Sequence, residues 1–83
     1  MKIYQVYSGE EDKHGFQREY YIATYVSKEK ALEHCERIVE GNKVGDDEIL
    51  EEVEGNWGKH WDAIGWSRVT ICALYEREVN VEV

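Results

Sequence analysis

One segment of this chain carries a helical pattern that restricts the folds open to the rest. Ser27, a residue type preferred at helix N-caps, is followed by KEKALEHCERIVE. Apolar residues in this segment recur at spacings of three and four and so share one helix face. They are Ala31, Leu32, Cys35, Ile38 and Val39. Gly41-Asn42 then supplies a stop signal, so we predict one amphipathic helix over 28–40, ended by a glycine in the left-handed conformation.

Strand-like segments lie on both sides of this helix. Residues 2–7 and 18–26 are rich in β-branched and aromatic types, and the polar loop 8–17 favours an antiparallel hairpin. In the second strand, alternation predicts Tyr20, Ile22 and Val26 on one face and Tyr21, Ala23 and Tyr25 on the other. Residues 67–83 alternate again, as one long strand that bends near residues 76–78 or as two short strands joined there, and we favour the long strand.

Residues 43–54, KVGDDEILEEVE, have no clear period. Asp46 or Asp47 could cap a short helix, or the same residues could form an irregular edge strand. We favour the short helix.

Residues 55–66, GNWGKHWDAIGW, contain all three tryptophans of the chain, interleaved with glycines. This composition predicts a loop. Because Trp66 begins the last strand, we expect it in or near the core. Trp57 or Trp61 is then the better candidate for an exposed side chain.

Together these elements predict a single α+β domain over residues 1–83. We expect a small antiparallel sheet of three to four strands, in the order ββα…β, with the main helix packed on one face. One helix cannot cover both faces of a sheet. The tyrosine-bearing face would therefore be covered by the tryptophan segment or by a second subunit, or would remain as a contact surface.

The charge balance limits the classes of partner. With 18 acids against 10 bases, the net charge of −8 repels the phosphates of nucleic acids and of anionic lipids. We therefore expect no direct nucleic-acid or membrane binding. The chain has no signal-peptide pattern, no apolar run of transmembrane length and no disulfide framework, so we expect a cytoplasmic protein with Cys35 and Cys72 reduced.

The chemistry-bearing residues form no catalytic or metal-binding motif. His14, His34 and His60 lie far apart, and none has a partner at the spacing that metal ligands need on one helix. The acidic runs lack the calcium-loop spacing, and the glycines form no phosphate-binding pattern. We expect no enzymatic activity, no cofactor and no metal. His60 and Cys72 would be the least implausible catalytic residues.

The first half of the chain resembles short acidic accessory proteins of phages and prophages. The resemblance is carried by the strands MKIYQVYSGE and REYYIATYVS and by the helix SKEKALEHCERI that follows them. It implies no catalytic residues. Small acidic proteins of this type often inhibit host or defence proteins, with anti-CRISPR proteins among them, so the resemblance implies an inhibitor in the cytoplasm of the host cell.

The leading hypothesis is a non-enzymatic protein that binds a basic site on a larger protein. Six acidic residues would steer the association electrostatically, with Trp57 or Trp61 as an apolar anchor. These acids are Asp46, Asp47, Glu48, Glu51, Glu52 and Glu54.

The alternative is a small-molecule binder with a pocket lined by tryptophan and tyrosine, at the interface of a homodimer. Its ligand would be planar and nucleotide-like. A phosphate-bearing ligand would require Arg18, Arg68 or Arg77 to converge on the pocket.

Overall fold

The computed structural model describes residues 1–42 and 44–80, which form one sheet and one helix. The elements are β1 (Lys2–Glu11), β2 (Gln17–Tyr25), α1 (Lys28–Gly41), β3 (Ile49–Gly55), β4 (Gly58–Ile64) and β5 (Arg68–Glu78). The strand order is β2-β1-β5-β4-β3, and every neighbouring pair is antiparallel. The predicted sheet of three to four strands is therefore wrong, because five strands dominate the fold.

The additional strands come from the region predicted as a short helix followed by a loop, which instead forms the β3–β4 hairpin. In β3 the extended backbone divides its glutamates between the two faces of the sheet, with Glu51 on one face and Glu52 and Glu54 on the other. A helix would bring these like charges onto neighbouring turns, where they repel each other. In the strand, Glu52 pairs with Lys59 on β4, and Glu51 pairs with Arg68 on β5. These cations offset the repulsion.

The turn of this hairpin depends on glycine. Gly55 pairs with Gly58, and Gly58 has a φ angle of 138°, which side chains rarely allow. A Cβ atom at Gly58 would also overlap the carbonyl oxygen of Leu74 on β5. The glycines that suggested a loop therefore permit a tight turn and a close approach between strands.

Helix α1 packs on one face of the sheet, mainly over β1 and β5. Ser27 caps it as predicted, since its hydroxyl oxygen accepts the N–H of Lys30 at 3.3 Å. The end of the helix differs from the prediction. Gly41 does not adopt a positive φ; instead the backbone N–H and the side-chain amide of Asn42 both donate to the carbonyl of Ile38.

The core lies between α1 and the central strands. Its buried side chains are Val6, Ala31, Cys35, Trp61, Cys72 and Leu74. The apolar stripe predicted for α1 therefore faces the sheet. Among the described residues, no helix is both long enough and apolar enough to cross a membrane.

Two β-bulges change which side chains share a face. Ile22 has no partner in β1, because Val6 pairs with Ala23 and Tyr7 pairs with Tyr21. As a result Tyr25 points towards α1, where its hydroxyl lies 2.8 Å from Nδ1 of His34, whereas Tyr21 lies on the opposite face. The predicted shared face of Tyr21 and Tyr25 is wrong for this reason.

The second bulge lies in β5. Ile71 is left over where Trp61 pairs with Cys72 and Asp62 pairs with Thr70. The irregularity of this strand is therefore at its start and not near residues 76–78, where we predicted the bend. Residues 81–83, which the prediction included in the same strand, lie outside the described residues.

Candidate functional site

The six acidic residues predicted to bind a partner lie together along one margin of the molecule, here called the acidic edge (residues 46–54). β3 is an outer strand of the sheet, and the turn before it carries Asp46 and Asp47. All six acidic side chains are exposed. The acidic edge thus combines a concentrated negative charge with the outer backbone edge of a strand.

Three of these carboxylates have partners. Glu52 accepts the indole N–H of Trp61 at 3.1 Å and pairs with Lys59 at 3.2 Å. The hydrogen bond from Lys59, and after it the one from Trp61, lowers the pKa of Glu52. Glu51 pairs with Arg68 at 3.3 Å. Glu48 accepts the backbone N–H of Gly45.

Asp46, Asp47 and Glu54 differ from the other three acids. They make no side-chain hydrogen bond or ion pair with another residue that the structure describes. Within the described residues, these three carboxylates are therefore the uncompensated part of the acidic edge.

The three tryptophans occupy three different environments. Trp61 is 2% exposed and forms part of the core, so it is not on the surface as an anchor. Trp57 is 38% exposed and stacks on His60, with ring centroids 5.2 Å apart. Trp66 is fully exposed, and the prediction that it lies in or near the core is wrong. It occupies the turn Gly65-Trp66-Ser67 between β4 and β5. Glycine and serine are typical of turns, so its two neighbours were the sequence signal for its exposure.

Trp66 lies beside the start of the acidic edge. A shallow groove is lined by Trp66, Gly65, Ile64, Ile49 and Asp47. Ile49 is 70% exposed. This Trp66 patch (Trp66, Ile49 and Ile64) places exposed apolar side chains next to uncompensated carboxylates.

A second surface lies on the sheet face opposite α1. Ring centroids follow one another across the sheet: Tyr21 to Tyr7 at 5.7 Å, Tyr7 to Tyr75 at 5.3 Å, Tyr75 to Trp57 at 6.1 Å, and Trp57 to His60 at 5.2 Å. We call these five residues the aromatic row. Tyr75 donates its hydroxyl to Glu19 at 2.7 Å. Its pKa is raised to about 12, first by burial and second by this hydrogen bond, and its phenol is neutral at physiological pH.

A buried carboxylate supports the His60 end of this row. The side chain of Asp62 is 1% exposed and has three partners: Arg68 donates to it at 2.7 Å, Thr70 at 2.9 Å, and His60 Nδ1 lies at 2.8 Å. Burial raises the pKa of Asp62, but the hydrogen bonds from Arg68, Thr70 and His60 outweigh it and lower the pKa overall. This site was not predictable from the sequence, because an acid between Trp61 and Ala63 gives no local sign of burial.

The other candidate residues are not brought together. His60 and Cys72 lie on opposite faces of the sheet, since Cys72 pairs with Trp61 and lies with Cys35 in the core. The interaction with the Cys35 thiol, together with burial, raises the pKa of the Cys72 thiol, which therefore stays protonated. Within residues 1–42 and 44–80, no group of three or more His, Cys, Asp or Glu side chains could hold a metal ion.

The three arginines considered for a phosphate site also lie apart. Arg18 pairs with Asp12, and Arg68 pairs with Asp62 and Glu51. Arg77 lies over the ring of Tyr75. They do not converge on one pocket.

Comparisons with protein-family models, curated proteins and solved structures found no match to this chain. Its function must therefore be inferred from the acidic edge, the Trp66 patch and the aromatic row.

Proposed function

We propose that this protein is a non-enzymatic interaction protein whose acidic edge binds a basic site on a larger protein. One observation carries the proposal: the uncompensated carboxylates Asp46 and Asp47 lie next to the fully exposed Trp66. Negative charge steers a basic partner to this surface, and a large aromatic side chain supplies the apolar contact that slows dissociation.

The apolar anchor in this proposal is Trp66. Trp61 is buried, and Trp57 belongs to the aromatic row. An exposed tryptophan beside an exposed Ile49 is unfavourable in water, and a partner that covers both removes that apolar area from solvent. The outer backbone edge of β3 offers further hydrogen bonds to an extended basic segment.

The biological role we propose is inhibition of a host or defence protein in the host cytoplasm. Its support is the resemblance of the first half of the chain to small acidic phage accessory proteins. An acidic inhibitor can occupy a basic site that would otherwise bind nucleic acid, and the net charge of −8 suits that competition.

Charge reversal with a matched control tests this proposal. The immobilised protein would capture partners from bacterial lysate, in parallel with a variant carrying Asp46→Lys and Asp47→Lys and a variant carrying Glu29→Lys and Glu33→Lys. Both double substitutions change the net charge equally, but Glu29 and Glu33 lie on α1, exposed and away from the acidic edge.

We expect the same partner on the wild type and on the helix variant, and its loss on the Asp46/Asp47 variant. It should elute as NaCl rises from about 50 mM to about 500 mM. Replacement Trp66→Ala should weaken binding roughly 10- to 100-fold without changing the salt dependence. Equal retention by the two charge-reversed variants would show that the acidic edge is not the binding surface.

A second candidate function is binding of a planar, uncharged small molecule, which the aromatic row favours. Trp57 is 38% exposed and Tyr21 is 56% exposed, so both rings offer faces for stacking. The separated arginines give no support to a phosphate-bearing ligand. A thermal-shift screen tests this candidate: a ligand of the row should raise the melting temperature of the wild type and not that of Trp57→Ala.

A further inference from the structure

We propose that the aromatic row is a self-association surface, through which two copies of this chain pack sheet face against sheet face as a weak, reversible dimer. The row does not include Asp46, Asp47 or Trp66, on which the proposed partner binding rests, so the two proposals are independent. The dimer proposal follows from how little covers this face, from its charges and from its shape.

The face that carries the aromatic row has no covering layer among the described residues. Helix α1 occupies the other side, over β1, β5 and part of β2. Tyr21, at one end of the row, is 56% exposed, and Trp57, next to His60 at the other end, is 38% exposed. A continuous strip of rings in water is unfavourable, and covering it with a second apolar surface releases that area from solvent.

The charged groups on this face have hydrogen-bond or ion-pair partners on the same face. Glu19 accepts from the Tyr75 hydroxyl, Asp62 and Glu51 both pair with Arg68, and Arg77 donates to Gln5 at 3.3 Å. These are three carboxylates against two guanidinium groups, whereas the whole chain has 18 acids against 10 bases. These groups leave an excess of one carboxylate on the face, a small part of the net charge of −8, and this lowers the repulsion of a second copy that packs here.

The shape of the row suits a two-fold interface. It crosses the sheet from Tyr21 on β2 to Trp57 at the β3–β4 turn. A two-fold axis that lies between the two sheets, parallel to both and perpendicular to the row near Tyr75, lays the Tyr21 end of one copy against the Trp57 end of the other, in the self-complementary arrangement of such interfaces. Face-to-face packing of sheets at a distance of about 10 Å allows the rings to interdigitate.

The size of the face predicts the strength of the dimer. Five strands spaced at about 4.8 Å give a face about 24 Å wide, and a contact of that width and similar height buries on the order of 1,000 Å² in total. That area is at the low end for specific interfaces. We therefore expect a weak dimer, with monomer dominant in dilute solution and dimer forming only at high protein concentration.

Sedimentation equilibrium over a range of protein concentrations, up to about 1 mM, tests the proposal with a matched pair of variants. Tyr21→Glu introduces a charge into the row. Tyr20→Glu introduces the same charge one residue earlier on β2, at a side chain that is 45% exposed but paired opposite Ser8, outside the row. Circular dichroism of both variants checks that they fold.

We expect the wild type and Tyr20→Glu to dimerise as concentration rises, and Tyr21→Glu to remain monomeric. Trp57→Ser should also weaken the dimer, because it removes the other end of the row. Added NaCl should strengthen dimerisation, since it screens the repulsion between two acidic chains. This salt response is opposite to that of the acidic edge, so the two proposals fail independently.

Two results would overturn the proposal. One is a wild type that stays monomeric at every concentration. The other is equal loss of dimer in Tyr20→Glu and Tyr21→Glu, which would point to edge-to-edge pairing through β2 instead.

Discussion

Three tryptophans within ten residues of sequence differ in what surrounds each indole ring. Trp61 lies in the core and donates its N–H to Glu52, Trp57 stacks on His60, and Trp66 stands in solvent. The difference follows from strand alternation and from the turns. Trp61 is in mid-strand on the face under α1, whereas the other two lie at the ends of β4.

Fluorescence of single Trp→Phe variants should separate these environments. Trp66→Phe should remove the red-shifted emission that iodide quenches readily, and Trp61→Phe should remove blue-shifted, protected emission. Because Trp61→Phe loses core volume and the hydrogen bond to Glu52, it should also lower the free energy of unfolding by about 1–2 kcal/mol. Iodide quenching unchanged by Trp66→Phe would contradict the placement of that ring.

Asp62 gives a prediction for the dependence of stability on pH. Its pKa is lowered in the folded state, so its ionised form contributes stability at pH values above its ordinary pKa of 3.8, and that contribution is lost as the pH falls through the lower folded value. At pH 7, Asp62→Asn should lower the free energy of unfolding by about 2 kcal/mol, because the charged hydrogen bond to Arg68 is lost.

Urea unfolding of the wild type and Asp62→Asn at pH 7 and at pH 3 measures this effect. The difference between the two proteins should shrink at pH 3, because below the ordinary pKa of 3.8 the unfolded wild type takes up a proton at Asp62 that the folded state binds less readily. The exposed Asp47→Asn is the control and should show little difference at either pH. A difference for Asp62→Asn that is the same at both pH values would exclude ionisation of Asp62 as its source.

At the scale of secondary structure, the β3–β4 hairpin adds two strands to the sheet and so brings it to five. These are the two strands that were not predicted. Gly58→Ala tests this hairpin. The positive φ angle and the contact with the Leu74 carbonyl both oppose a side chain, so we expect a loss of at least about 2 kcal/mol in the free energy of unfolding.

Gly41→Ala is the matched control for this substitution. Gly41 ends α1 with a negative φ angle, and a Cβ atom there would meet no atom within 4 Å. It should therefore be neutral or stabilise the protein by up to about 1 kcal/mol. Thermal unfolding of both variants measures the contrast, and equal effects would mean that the turn does not require glycine.

The contrast between α1 and this hairpin shows which structural features the sequence could reveal. Helix α1 was predictable because its signals are local: the cap at Ser27 and an apolar stripe within thirteen residues, 28–40. The strand character of 58–64 was hidden, since its alternation includes the buried Asp62, whose partner Thr70 lies on another strand. A bulge such as the one at Ile22 depends on strand pairing and reverses the face assignment of every residue beyond it.

The same distinction holds for the candidate surfaces. The acidic edge could be recognised from charge density alone, because six acids in nine residues cannot all be buried. The aromatic row could not, since it joins Tyr21, Tyr7, Tyr75 and Trp57 across pairings that no local pattern shows. The exposure of Trp66 depends in turn on where β4 ends.

At the scale of the whole molecule, one helix on one side of a five-stranded sheet leaves two surfaces of different character. The acidic edge and the Trp66 patch lie at an outer strand, and the aromatic row lies on the bare face. The aromatic row does not include Asp46, Asp47 or Trp66. A dimer formed through the row would therefore present these three residues twice, once on each copy. Such a dimer would bind a partner with two basic sites more tightly than a monomer does.

The measurement that tests the central proposal most directly is the affinity for the captured partner as a function of salt concentration. Isothermal titration calorimetry would compare the wild type with the Asp46→Lys, Asp47→Lys variant at NaCl concentrations from about 50 mM to about 300 mM. We predict that the dissociation constant of the wild type rises at least about tenfold over this range, and that the variant binds weakly at low salt with a flatter dependence. A dissociation constant that does not change with salt, or that is the same for both proteins, would contradict binding through the acidic edge.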